Sequence, residues 1–157
     1  MTETTTQTTT QNLNYSDFTF QTYDKIRYAD TDRQGHVNNA VFSTFLETGR
    51  VEFLYNPEHP LADSDASFVI ANLSLNLLGE IRWPGTLEIG TRVTRIGNRS
   101  LTLQQGLFQE QCCVATADTV IVQMHDTTRK SHPLSDRCRA FLQQHMPSPV
   151  QEASRDE

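Results

Sequence analysis

The sequence predicts an α+β domain in which an antiparallel sheet of about five strands wraps one long apolar helix. Three observations carry that prediction. The window from Ala40 to Tyr55 is apolar around most of a helical circumference, four alternating segments follow it in succession, and short turns join them. A helix this apolar needs cover, and consecutive strands pairing antiparallel supply it.

Residues 1–14 are rich in threonine and glutamine and nearly devoid of apolar side chains, so they are expected to form a disordered polar leader. Phe18 to Arg27 reads as the first strand, with Phe18, Phe20 and Thr22 on one face. The helix follows, with Asn38 or Asn39 as N-cap and Val41, Phe42, Phe45, Leu46, Gly49 and Phe53 forming a broad stripe that Val51, Leu54 and Tyr55 extend. Its length, about 24 Å at 1.5 Å per residue, crosses a small sheet, and its nearly encircling apolar character predicts deep burial.

Beyond the turn-rich Asn56 to Pro60, residues Val69, Ala71, Leu73, Leu75 and Leu77 alternate with polar neighbours as a half-buried strand. Trp83-Pro84-Gly85 interrupts the chain before a strand from Thr86 to Ile96. Gly97-Asn98 marks a turn, and Ser100 to Gln109 and Val114 to His125 complete the series. Pro133 to His145 reads as a final short helix capped by Ser135, which Pro147 prevents from continuing. The expected domain is therefore residues 15–146, followed by a polar, proline-broken tail at 147–157.

A chain of 157 residues with 36% hydrophobic content suits one compact domain. Its formal charge of -6 offers no general attraction to nucleic acid or to an anionic membrane. No apolar run is long enough to span a bilayer and no secretory signal is visible, so the expected location is cytoplasmic. Cys112, Cys113 and Cys138 lack metal-site or disulfide-framework spacing, and the five histidines are scattered; neither a metal nor a redox cofactor is expected.

The chemistry is concentrated in Tyr28 to Ala40, where Asp30, Asp32, a glycine turn at Gly35 and two potential capping asparagines precede the helix. Unpaired backbone N–H groups at a helix start carry partial positive charge, so they can polarise a carbonyl while a nearby carboxylate attacks it or activates water. The segment points to acyl transfer to water. Each residue also has a plainer role: Asp32 and Asp30 as turn-forming aspartates, His36 as a loop residue bonded to backbone, Asn38 and Asn39 as caps. Glu47 and Arg50 are spaced to pair on one helix face, and Phe42 and Phe45 suit either an acyl pocket or the core.

The run Ile26-Arg-Tyr-Ala-Asp-Thr-Asp-Arg-Gln-Gly-His-Val-Asn-Asn-Ala40, continued by Phe45-Leu-Glu-Thr-Gly-Arg50-Val-Glu-Phe53, resembles the hotdog-fold acyl-CoA thioesterases of the 4-hydroxybenzoyl-CoA thioesterase type. That resemblance implies the hotdog fold, with the sheet wrapped around the central helix. It makes Asp32, the second aspartate of the Asp-x-Asp loop, the catalytic carboxylate, acting as nucleophile or general base. It implies backbone N–H groups around Val37, Asn38 and Asn39 that hold the thioester carbonyl, with His36 beside the acyl or pantetheine part. Glu47 is a backup carboxylate, because some other hotdog enzymes place their acid on the helix. Coenzyme A carries phosphates, for which the resemblance implies Arg99 and Ser100, with Arg82, Arg129 and Lys130 as further candidates.

The expected reaction is hydrolysis of an acyl-CoA thioester to a free acid and CoA. Alternatives are hydrolysis of an acyl carrier protein thioester, or a domain that binds acyl thioesters without turnover. An exposed sheet edge favours a homodimer or homotetramer with the site between subunits, Asp32 coming from one chain and strand residues such as Asn72 to Asn76 or Arg99 from the other.

Overall fold

The structure is a computed structural model and describes residues 13–148. Strand β1 (Phe20–Ile26) leads into the long helix α1 (Asn39–Leu54), followed by β2 (Ala66–Leu77), β3 (Gly85–Ile96), β4 (Ser100–Gln109), β5 (Cys112–His125) and helix α2 (Asp136–Gln144). The strands form one sheet in the order β1-β3-β4-β5-β2, with every neighbouring pair antiparallel. This is the α+β hotdog architecture, and β1 and β2 are its two edges.

Helix α1 lies on the face of the sheet that carries Leu87, Ile89, Leu107, Ala115 and Ala117. Asn38 caps it, its side-chain oxygen accepting the Ala40 N–H at 3.0 Å. Phe42, Phe45 and Leu46 are buried toward its N-terminal half, and Phe53 and Leu54 pack with Val93, Leu101, Leu103 and Ile121 toward the other end. Each such side chain stabilises the fold by about 1.5–3 kcal/mol on burial. Phe42 and Phe45 are thus core residues. The helix is not buried all round, however: Ala40, Thr44, Glu47, Val51 and Tyr55 form an exposed stripe along it, because the sheet covers only one side of the cylinder.

Two patterns differ from the sequence expectation. Phe18 precedes β1, after a short helical turn at Tyr15–Asp17, and its ring lies against Gly90 and Gly106 on the face away from the helix. Phe20, by contrast, packs on Phe53 of α1, so the two rings sit on opposite faces. Strand alternation fails at Phe18 because that residue is outside the strand. In β2, a bulge between Ile70 and Asn72 inserts Ala71 as an extra residue. Phe68 and Ile70 therefore oppose helix-side Gln123 and Ile121, whereas Leu73, Leu75 and Leu77 take the helix side after the bulge. One extra residue exchanges the faces of a strand.

Leu13, placed in the leader by composition, is buried with Phe18 and Phe108, so the described fold begins before residue 15. Residues 1–12 of the expected leader and 149–157 of the expected tail lie outside the described residues. No described helix is long and apolar enough to cross a membrane. Ser135 caps α2 as expected, accepting the Cys138 N–H at 3.1 Å. Burial among apolar neighbours pushes the Cys138 thiol up to about 11.

The closest approach of helix to sheet is at Gly49. A β-carbon there would stand 2.7 Å from Ile89 Cγ2 and 2.8 Å from Gln105 Nε2. Alanine would gain about 1 kcal/mol of helix propensity over glycine, but overpacking costs about 1–3 kcal/mol. Gly49→Ala is expected to destabilise the domain, by about 1 kcal/mol net, seen as a lower urea midpoint. An unchanged or higher midpoint would show that the helix can lift off the sheet.

Candidate active site

After β1 the chain makes a short helical turn at Tyr28–Asp30 and then a small hairpin that delivers it to α1. Thr31 bridges to Val37, Asp32 N–H donates to His36 O at 2.8 Å, and Gly35 N–H donates to Asp32 O at 3.0 Å. Gly35 has φ +85°, the left-handed conformation that closes such a turn and that glycine adopts without a Cβ penalty. The loop is also tied to the sheet: Val37 N–H donates to Ile81 O at 2.8 Å, and His36 bridges to Arg82. Arg82 is held in turn by Gln109, whose side-chain amide accepts from Arg82 N–H at 2.9 Å and donates to Arg82 O at 2.7 Å.

The two aspartates have different work. Asp30 is 3% exposed, and its carboxylate accepts the Arg27 backbone N–H at 2.8 Å and the Arg27 guanidinium at 3.0 Å. Asp30 in return holds the Arg27 pKa above its usual value, first through that hydrogen bond and then through its charge. Asp32 is half-buried, and one oxygen, Oδ1, accepts the Gln34 N–H at 2.8 Å. Among the described residues its Oδ2 has no hydrogen-bond partner. The turn-forming role and a reactive role are therefore compatible, one on each oxygen.

The backbone donors ahead of α1 are mostly occupied. Val37 N–H is bonded to Ile81 O, Asn38 N–H to Asp30 O at 2.9 Å, Ala40 N–H to the Asn38 side chain and Val41 N–H to Asn38 O. Of the three N–H groups at Val37, Asn38 and Asn39, only that of Asn39 is without a partner among the described residues. It stands at the positive end of a 16-residue helix.

His36 Nε2 lies 3.3 Å from Glu80 Oε2, and the same oxygen accepts Arg82 Nη2 at 3.0 Å. Glu80 thus orients both His36 and Arg82; it escapes sequence reasoning because nothing in its local pattern indicates a fold contact with residue 36. Glu47 is exposed on α1 and makes no ion pair with Arg50, which instead turns inward to Gln105. The pairing that their spacing allows is absent because Arg50 follows the buried face.

Arg99 and Ser100 sit at the turn between β3 and β4, with Arg99 Nη1 donating to Ser131 O at 3.0 Å. Lys130 and Arg129 are close by in sequence to that anchor, Lys130 O accepting His125 N–H. Since β3 starts beside Ile26 and runs 12 residues to Ile96, Arg99 is at the end of the sheet opposite Asp32, roughly 35 Å away along the strand at 3.3 Å per residue. One chain does not bring them together. Among the described residues, no cluster of three or more histidine, cysteine or acidic side chains is arranged to hold a metal.

The thioesterase superfamily model matches residues 34–115, just over half of the chain. The chain belongs to the thioesterase superfamily. It is a thioester hydrolase, and the matched span takes in His36, α1 and β2 through β4 while beginning two residues beyond Asp32. Among solved structures, the thioesterase resembles a predicted thioesterase from Bacillus stearothermophilus (28% identity, 83% of this chain and 98% of that one, TM-score 0.74). It also resembles YbaW, a probable thioesterase from Escherichia coli (28% identity, 80% and 98%, TM-score 0.67). A thioesterase from Thermus thermophilus, solved with coenzyme A and Zn, shares the fold at 23% identity (80% and 98%, TM-score 0.70). No curated protein matches the sequence.

The division between the aspartates is measurable as stability. Losing the buried Asp30 carboxylate removes charge-assisted hydrogen bonds to backbone, so Asp30→Ala is expected to cost about 2 kcal/mol, and Asp32→Ala less than about 1 kcal/mol. Denaturant melts of the two variants check this, and equal losses would contradict it.

Proposed function

We propose that this thioesterase hydrolyses acyl-CoA thioesters at Asp32, with the Asn39 N–H at the start of α1 polarising the thioester carbonyl. The observation that carries the reading is that one short segment holds both a carboxylate oxygen, on Asp32, and a helix-terminal N–H, on Asn39, without hydrogen-bond partners among the described residues. Asp32 Oδ2 either attacks the thioester carbon, expelling the thiolate and forming an anhydride, or takes a proton from an attacking water. In both routes negative charge gathers on the carbonyl oxygen, where a fixed N–H and the helix dipole stabilise it. His36, steadied by Glu80, lines the approach to the loop.

The remaining part of the site is supplied by a second copy. Strand β2 is an edge 12 residues long, paired only with β5 among the described residues, and it exposes Ile70 and Leu77, with Leu78 exposed just beyond its end. Two such edges pairing antiparallel would set the Leu77 end of one copy beside the Phe68 end of the other. The Leu77 end is the Asp32 end, since Leu78 N–H donates to Val114 O and Ile81 O accepts from Val37. Asp32 of one chain then faces the far end of its partner, where Arg99, Ser100, Arg129 and Lys130 are available for CoA phosphates. Coenzyme A as the carrier is also in keeping with its presence in the Thermus thermophilus relative.

Three measurements test this reading. Asp32→Asn is expected to lower kcat/KM for acyl-CoA by about a thousandfold with substrate binding retained; unchanged turnover would remove Asp32 from the mechanism. Sedimentation equilibrium should give a dimer or a multiple of one, and a fully active monomer would eliminate the shared site. Arg99→Ala should raise KM for acyl-CoA but not for the matching N-acetylcysteamine thioester, which lacks the nucleotide.

A further inference from the structure

Arg50 is a buried cation that makes no salt bridge among the described residues. It is 6% exposed, and among the described residues its single hydrogen bond runs from Nη1 to Gln105 Oε1 at 3.4 Å. That is long for a hydrogen bond, and a guanidinium has five N–H donors to satisfy. Gln105 is fixed in this orientation, because its Nε2 donates to Leu46 O and to Thr91 Oγ1, both at 3.1 Å. Burial pulls the Arg50 pKa down, with the charge of Glu47 opposing it. A largely buried guanidinium held by one long bond to a neutral amide, with its remaining donors open to the adjoining cavity, favours an anion that reaches it.

An anion has somewhere to enter. Arg50 lines a cavity of about 140 Å³ between the exposed stripe of α1 and the start of β2, walled mainly by Val51, Leu54, Tyr55, Phe68 and Ile70. Its volume is close to that of a cavity that accepts benzene, about 150 Å³. The wall is braced, since the Tyr55 hydroxyl accepts the Phe68 N–H at 2.9 Å and joins the end of the helix to the strand. Glu47 also lines the opening, but it is exposed, so water and salt screen it while the buried Arg50 is screened far less.

We propose that this cavity receives the distal end of the acyl group and selects acyl chains that end in a carboxylate, which Arg50 binds. The inference rests on the thioester-hydrolase reading and on the antiparallel pairing of β2 edges, which brings the cavity of one copy to the Asp32 end of the other. An alkyl chain would fill the apolar walls but leave the guanidinium as it is; a dicarboxylic chain fills the walls and pairs the charge. The planar fork of arginine matches a carboxylate through two parallel N–H bonds.

The test compares hydrolysis of adipoyl-CoA and hexanoyl-CoA, of equal carbon number, by the full-length protein. The wild type should favour adipoyl-CoA in kcat/KM by at least about tenfold. In Arg50→Met that ratio should collapse to near one; an apolar residue of similar volume is tolerated where a buried ion stood. Arg50→Lys, which keeps the charge and loses the fork, should give an intermediate ratio through KM and serves should the methionine variant fail to fold. A wild type that prefers hexanoyl-CoA, or a preference surviving Arg50→Met, overturns the carboxylate assignment and leaves the hydrolase standing. Hydrolysis of neither substrate, nor of any other acyl-CoA, overturns both readings together.

Discussion

The seating of α1 on the sheet at Gly49 is the constraint from which the rest follows. At that point the helix backbone comes so near Ile89, Thr91 and Gln105 that no side chain fits between. The Gln105 amide then bonds the Leu46 carbonyl and the Thr91 hydroxyl, which locks the helix in rotation as well as in height. With the rotation fixed, Phe42, Phe45, Leu46 and Phe53 must face the sheet, and the stripe of Glu47, Val51 and Tyr55 must face away. The direction of the helix N-terminus, and so of the free Asn39 N–H, is set by the same contact.

The loop before the helix converts that rigid placement into a defined chemistry. Asp30 commits its whole carboxylate to Arg27, and its carbonyl accepts Asn38 N–H, so fastening the entrance to α1 consumes one acid and one potential oxyanion donor. Ile81 takes a second donor, that of Val37. Of the two aspartates and the Val37–Asn39 donors, one acid oxygen and one N–H remain without a partner among the described residues. A helix start with all its donors free would bind any anion; with most of them engaged in the fold, the proposed carbonyl-binding direction is that of the Asn39 N–H.

Much of this is legible in the sequence because it depends on local pattern. The order of elements along the chain, helix length, the Asn38 and Ser135 caps and the turn at Gly35 follow from periodicity and residue chemistry acting within a few positions. The loop-support role of Asp30 agrees with its hydrogen bonds to Arg27. The misreadings arise where distant parts meet. The bulge at Ala71 is invisible in an alternating run, since an inserted residue leaves the hydrophobic count unchanged while exchanging the faces. Phe18 reads as a strand residue because its parity matches Phe20, yet it covers Gly90 and Gly106 from the other side. Spacing pairs Glu47 with Arg50, but spacing carries no information about the Gln105 that lies beneath the helix.

The exposed stripe of α1 and the edge of β2 form one continuous apolar margin, since Val51, Tyr55 and Ile70 line the same cavity and stand 48%, 44% and 49% exposed. In an isolated chain that margin faces water on the helix side, while among the described residues β2 pairs with no strand on its outer side, where the Tyr55 hydroxyl holds the Phe68 backbone. On the proposed pairing of edges, the margin would be covered and the Asp32 loop of one copy would come to the Arg50 cavity of the other. The Asp32 loop and the Arg99 turn lie at opposite ends of the sheet, about 35 Å apart, and do not meet within one chain. On the proposed pairing, stability and catalytic completeness would be properties of the pair, and the register of the β2 edge would fix how the acid loop of one copy meets the basic turn of the other.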